Sequence, residues 1–285
     1  VNATGYVPML YYESPALAAL NKTPAPTAFP IQAAGYNFPD ASRTMRNAIE
    51  VQAQGSSFTF IEDKAKKTFS TNFTILALIK DQSKQVVGKL SRQYVLNGPL
   101  DKLKVTQNGA VLFYKETNLP PGRYDIEAAV YDAPTDKASV TRTFIEIPDT
   151  DESKLRLSSV TIIERIEPWP ANQKTDSPFQ IGEVMLYPSL KSAVRKSTQK
   201  MPFYFVVYPV KGAKTAPQLT LQVVQGNKMV ADVNLKLSAA DANGRIPYAS
   251  ALPIESLNPG TYELRIIVKD EQSSMTRSQS FVIEP

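Results

Sequence analysis

The chain has 285 residues, 42% of them hydrophobic and 21% charged, and a formal net charge of +5. This is the balance of a folded protein with core enough for two ordinary domains, and not of a disordered chain. Cysteine and histidine are both absent. Their absence excludes disulfides, thiol nucleophiles, Cys-type zinc sites and the usual general base of serine hydrolases. Residues 1–150 hold 16 Lys+Arg and 14 Asp+Glu, residues 151–285 hold 16 and 13, and these add up to the 32 and 27 of the whole chain. Charge spread so evenly is a solubility pattern and not a nucleic-acid footprint. No stretch reaches the roughly 18–20 apolar residues that span a bilayer. The chain starts at Val1 without a signal-peptide pattern, so a processed or excised piece is expected.

Residues 1–46 are rich in Ala, Pro and Tyr and lack a sustained period. They are expected to form an N-terminal arm or linker that packs on the adjoining sandwich. Within it Ser14–Leu20 predicts a short helix, with Ser14 as N-cap, Pro15 at the first position, and Pro24, Pro26 and Pro30 ending it. From residue 47 to 148 the pattern is strands. Residues 48–53 and 58–62 alternate with period two, and 71–80 is a longer apolar run suited to a central strand. Residues 85–95, 110–116, 124–131 and 138–147 complete about seven strands. A polar joint covers 149–154. A second series then runs over 157–165, 203–209, 219–225, 229–236, 247–253, 262–269 and 276–283. Short strands with regular turns predict an all-β chain: two tandem immunoglobulin- or fibronectin-III-like sandwiches over 47–148 and 155–285.

One motif occurs twice. Leu119-Pro-Pro-Gly-Arg-Tyr124 opens residues 119–132, and Leu257-Asn-Pro-Gly-Thr-Tyr262 opens the matching residues 257–270. Proline pre-sets φ and glycine takes φ > 0 without a Cβ clash, so Pro-Gly makes a corner before each strand. Tyr124 and Tyr262 sit on the apolar parity of their strands. They are expected to be buried corner tyrosines with the hydroxyl bonded upstream. The repetition is therefore read as scaffold.

Met201-Pro-Phe-Tyr-Phe-Val-Val-Tyr-Pro209, Gly244-Arg-Ile-Pro-Tyr248 and Leu252–Leu264 resemble the C-terminal part of the VWFA-related acidobacterial proteins. Leu119–Tyr124, Glu146-Ile-Pro148 and Leu157-Ser-Ser-Val160 resemble the middle of that family, and Gly5-Tyr6 the segment after its von Willebrand factor A domain. The resemblance covers nearly the whole chain. It implies an exported protein, periplasmic or secreted, whose sandwiches follow an adhesion-type domain. The Asp-x-Ser-x-Ser metal motif of that domain does not occur in this sequence, so no metal site is carried over, and no functional residues transfer.

Four constellations remain as candidate sites. Asp149, Asp151 and Glu152 at the joint have the chemistry of a calcium site, or of a solvated acidic linker. Asp241-Ala-Asn243-Gly244 starts like a calcium loop but lacks its later ligands, and predicts a tight Asn-Gly turn. Lys191, Arg195, Lys196 and Lys200 form a basic run, expected in a solvated loop that could meet an anionic surface. Trp169, Tyr187, Tyr204 and Tyr208 have the flat rings of a carbohydrate platform. Tyr204 and Tyr208 alternate with Phe203 and Phe205, so that strand is either buried on both sides or presents a binding face. Trp169, between Pro168 and Pro170, is expected to plug a loop. No catalytic residue and no cofactor is expected. The favoured function is a non-catalytic structural or protein-interaction module with an unidentified protein or cell-surface partner. The alternative is a carbohydrate-binding module using the aromatic residues of the second sandwich on a polysaccharide.

Overall fold

The computed structural model describes residues 9–40, 47–149, 151–170, 172, 173, 175, 177–191, 193–213 and 215–285. Gly5-Tyr6 lies outside them. The protein is all-β, built as β-sandwiches. Chain packing divides it into two units. The first takes residues up to Gly35, Ala48–Thr117 and Gly122–Glu146; the second takes Tyr36–Asn47, Asn118–Pro121 and Ile147–Pro285. The arm is thus shared out, with its residues 36–40 counted in the second unit.

The strands of the first unit are β1 (Ile31–Asn37), β2 (Asn47–Gln54), β3 (Ile61–Asp63), β4 (Thr68–Lys80), β5 (Val86–Pro99), β6 (Ala110–Thr117), β7 (Gly122–Asp132) and β8 (Lys137–Ile147). Strands β1, β2 and β6 form one sheet, in the order β1-β2-β6. In the other sheet β4 has β5 along one edge, β3 and β7 along the other, and β8 beyond β7. Residues 58–60, expected in a strand, are instead an extended approach to the three-residue β3. Helices α1 (Ser14–Leu20) and α2 (Leu103–Asn108) complete this unit.

The expected helix is present, one cap position earlier than predicted. A 3-10 turn over Tyr11–Glu13 leads into it, so Glu13 occupies the N-cap and Ser14 is already helical. Pro15 lies in the first turn, where its missing N–H costs nothing. Ala16, Ala19 and Leu20 pack on Leu76, Ala129, Ala138 and Val140. This contact explains why β4 is apolar on both parities. Phe73, Ile75, Ala77 and Ile79 are at most 1% exposed on the inner parity, and Leu76 of the outer parity lies under α1. Glu13 anchors the turn: its carboxylate accepts from Lys89 Nζ, Ser91 Oγ and the Leu10 amide.

The second unit has β9 (Arg156–Leu157), β10 (Thr161–Pro168), β11 (Gln180–Ile181), β12 (Val184–Pro188), β13 (Ala193–Arg195), β14 (Lys200–Tyr208), β15 (Gln218–Gln225), β16 (Lys228–Leu235), β17 (Ile246–Pro253), β18 (Gly260–Lys269) and β19 (Ser274–Glu284). One sheet runs β11-β12-β10-β14-β17, with β9 also on β14; the other runs β13-β19-β18-β15-β16. Between them lies a core that includes Phe203, Phe205, Leu221, Tyr262, Leu264, Ile266 and Phe281. The segment expected as a flexible loop at 190–200 instead carries β13, which pairs in parallel with β19, followed by a 3-10 turn.

Both corners have the expected geometry. Gly122 and Gly260 take φ of +154° and +151°, values that side chains with a Cβ rarely adopt. Leu119 and Leu257 are buried before them, Tyr124 and Tyr262 after them. The Tyr262 hydroxyl donates to the Asn258 carbonyl at 2.9 Å. Tyr262→Phe removes this bond and leaves the carbonyl short of a partner. It should lower stability by about 1 kcal/mol in urea titration; no change would show the hydroxyl to be dispensable.

Candidate functional site

Strand β14 carries the aromatic residues singled out in the sequence. On its inner parity Met201, Phe203, Phe205 and Val207 are at most 1% exposed and belong to the core between the sheets. On its outer parity Tyr204 and Tyr208 are 2% and 4% exposed. Rings so buried have no free face to stack on a sugar, so of the two readings of this strand the structure has the one buried on both sides. The cover over the outer parity comes from two segments of the same unit.

The first cover is Tyr36-Asn-Phe-Pro-Asp40. Phe38 is 1% exposed, with its ring 5.1 Å from that of Phe179 and 6.4 Å from that of Tyr204. Tyr36 meets Phe179 edge-on at 5.4 Å. The backbone is held by Ser159: the Asn37 amide donates to Ser159 Oγ and the Ser159 amide to the Asn37 carbonyl, both at 2.9 Å. Arg156 Nη1 donates to the Pro39 carbonyl at 2.8 Å. Asp40, 3% exposed, pairs with Arg245 at 3.2 Å, and Arg245 also pairs with Asp241 at 3.0 Å. The second cover is the stretch around Phe179, where the Tyr204 hydroxyl donates to the Pro178 carbonyl at 2.8 Å.

The Asn-Gly turn forms as expected. Gly244 has φ +74°, its amide donates to the Asp241 carbonyl, and Asp241 Oδ1 accepts from the amides of Asn243 and Arg245. Burial pushes the Asp241 pKa up, but these amides and the Arg245 guanidinium outweigh it and hold the carboxyl below its ordinary value. The turn thereby fixes Arg245 toward Asp40.

The remaining candidates are engaged separately. Trp169 is half-buried, with Nε1 donating to the Gln173 carbonyl at 2.8 Å, which closes its loop. Tyr187 carries the Arg165 guanidinium over its ring at 4.2 Å. Asp149 and Asp151 both face Lys154 at 3.6 Å, while Glu152 pairs with Lys211 at 2.8 Å. The Ser153 hydroxyl and amide, with Lys154, hold Asp151 below the usual carboxylate range; Lys211 does the same for Glu152. Among the described residues no group of three or more acidic side chains converges as a metal site. In the basic run Lys191 lies 3.8 Å from Glu164, Arg195 and Lys200 are exposed, and Lys196 is half-buried.

Among the described residues, two surface clefts have no titratable group in their walls. One, of about 270 Å³, is lined by residues including Asn37, Asn47, Asn118 and Leu119; the other, of about 350 Å³, lies in the first unit between 27–31 and 139–141. Sequence reasoning missed Tyr36–Asp40, Arg156 and Arg245 as a group. Their signal was an aromatic pair beside Pro-Asp in a segment without period.

No family model matches the chain, and no characterised protein aligns with it significantly. Among solved structures it is similar to a D1–D4 ectodomain fragment of ICAM-5, at TM-score 0.25 and 9% identity over 83% of this chain and 49% of that one. It is also similar to the Parabacteroides merdae beta-glucuronidase, at TM-score 0.26 and 10% identity over 86% of this chain and 28% of the enzyme. The chain spans about half or less of each, and superpositions this loose say nothing about activity.

Proposed function

We propose that the chain is a non-catalytic structural or protein-interaction module of adhesion type, a stalk or spacer within an exported bacterial protein. One observation carries this reading: the aromatic side chains of β14 and the carboxylates of the joint are engaged within the fold. Tyr204 lies under the chain's own Phe38 and Phe179, Tyr208 is buried with the Arg156 guanidinium over its ring, and the carboxylates of 149–152 are paired with lysines. The resemblance to the VWFA-related acidobacterial proteins supplies the exported context, and a protein or cell-surface component is the partner this implies.

The catalytic question is decided by incubating the purified chain with glycoside, ester and peptide substrates. No turnover above buffer is expected; turnover abolished by a single carboxylate-to-amide substitution would make it an enzyme. Cell fractionation with an antibody to this chain tests the address. Recovery outside the cytoplasm is expected, and recovery in the cytosol contradicts export.

A further inference from the structure

The segment Tyr36–Asp40 lies in the second unit as a peptide ligand lies in a receptor. It has an aromatic anchor in a ring-lined slot, two hydrogen bonds with Ser159 (one to its hydroxyl, one from its amide), and the Asp40 carboxylate on an arginine. Backbone pairing with alternate side-chain pockets is how sheets recognise extended peptides. The fit is incomplete at one point. Arg156 is 7% exposed and donates Nη1 to the Pro39 carbonyl, while among the described residues its buried Nε has no hydrogen-bond partner. Below it the guanidinium has the Tyr208 ring at 5.5 Å, and no carboxylate of the described residues pairs with it. Glu152, which senses its charge, is held by Lys211. A buried guanidinium with an idle donor is costly, and a carboxylate is its natural complement.

We propose that this slot is a peptide-recognition groove, filled here in cis, whose full ligand is an extended partner-protein peptide with an aromatic anchor and two carboxylates. One carboxylate takes the place of Asp40 on Arg245 and the second reaches Arg156. The proposal rests on the interaction-module reading and names the chemistry of the partner.

The test uses the full chain with its own segment weakened, as Phe38→Ala with Asp40→Asn, and checks folding by circular dichroism. Where that variant does not fold, Phe38→Leu with Asp40→Asn replaces it. Titrants are the peptide Gly-Tyr-Asn-Phe-Pro-Asp and two versions with one added glutamate, in place of the proline or after the aspartate. The folded variant should bind all three, at least one glutamate version about tenfold tighter, and Arg156→Gln should erase that gain. A control peptide with alanine for phenylalanine should not bind, and the unaltered chain should bind each far more weakly. Failure of the folded variant to bind overturns the proposal, as does the absence of any glutamate gain, or equal binding by the unaltered chain. Such a failure leaves the non-catalytic reading in place, because that is decided by turnover.

Discussion

Phe38→Ala should destabilise the second unit by about 3–5 kcal/mol, the usual cost of emptying a buried phenylalanine site. The ring is 1% exposed and touches both Phe179 and Tyr204. Its removal opens a cavity over β14 and lets water reach the Tyr204 ring. The chain has a single tryptophan, Trp169, and it lies in the second unit. Urea unfolding followed by its fluorescence therefore reports this unit selectively. A loss under about 1 kcal/mol, the level of surface substitutions, would mean that Phe38 is not part of the core.

In the first unit the matching test is Glu13. Its side chain is fully buried and Lys89 is 10% exposed. Glu13→Ala leaves the lysine buried beside Ser91 without its counter-charge, which should cost about 3 kcal/mol. Replacing both, as Glu13→Gln with Lys89→Met, removes the stranded charge and should recover much of the loss. Acid should act on the same link. Burial opposes ionisation of Glu13, but the bonds from Lys89, Ser91 and the Leu10 amide outweigh it, so its pKa lies below the ordinary glutamate value. A carboxyl with a lowered folded-state pKa stabilises fully above its unfolded pKa and progressively less as pH falls through the folded one. The destabilisation by Glu13→Ala should therefore be largest at neutral pH and shrink in acid below the ordinary carboxylate range. Equal destabilisation at neutral pH and in strong acid would remove the ion pair from the account.

The strands of both sandwiches were legible because period-two alternation and Pro-Gly corners are local signals. Tyr124 and Tyr262 could be placed from parity alone. Parity also showed that β14 is apolar on both sides, but it does not say what lies over a face. That depended on Tyr36–Asp40, whose partners Ser159, Arg156 and Arg245 stand 117 to 205 residues further along the chain. A five-residue segment without period gives no hint of such partners. The same holds for α1, whose helix was legible from Pro15 and its alanines while its seat on Leu76 and Ala129 was not. Asp149, Asp151 and Glu152 show the converse. Their spacing suited a cation, but Lys154 and Lys211 meet them, and one of those two lies far along the chain. Strand β13, three residues long and parallel to β19, is too short for any periodic signal.

The central claim is that the aromatic strand of the second sandwich is core on both faces, covered outside by the chain's own Phe38 and Phe179. Tyrosine nitration of the native protein, read by mass spectrometry, tests it most directly because the chain has an internal standard. Tyr11 is 83% exposed, whereas Tyr204 and Tyr208 are 2% and 4% exposed. Tyr11 should be modified readily, and Tyr204 and Tyr208 only once the chain is unfolded. Modification of Tyr204 and Tyr208 in the folded chain as fast as Tyr11 would contradict the account and return that strand to the status of a binding face.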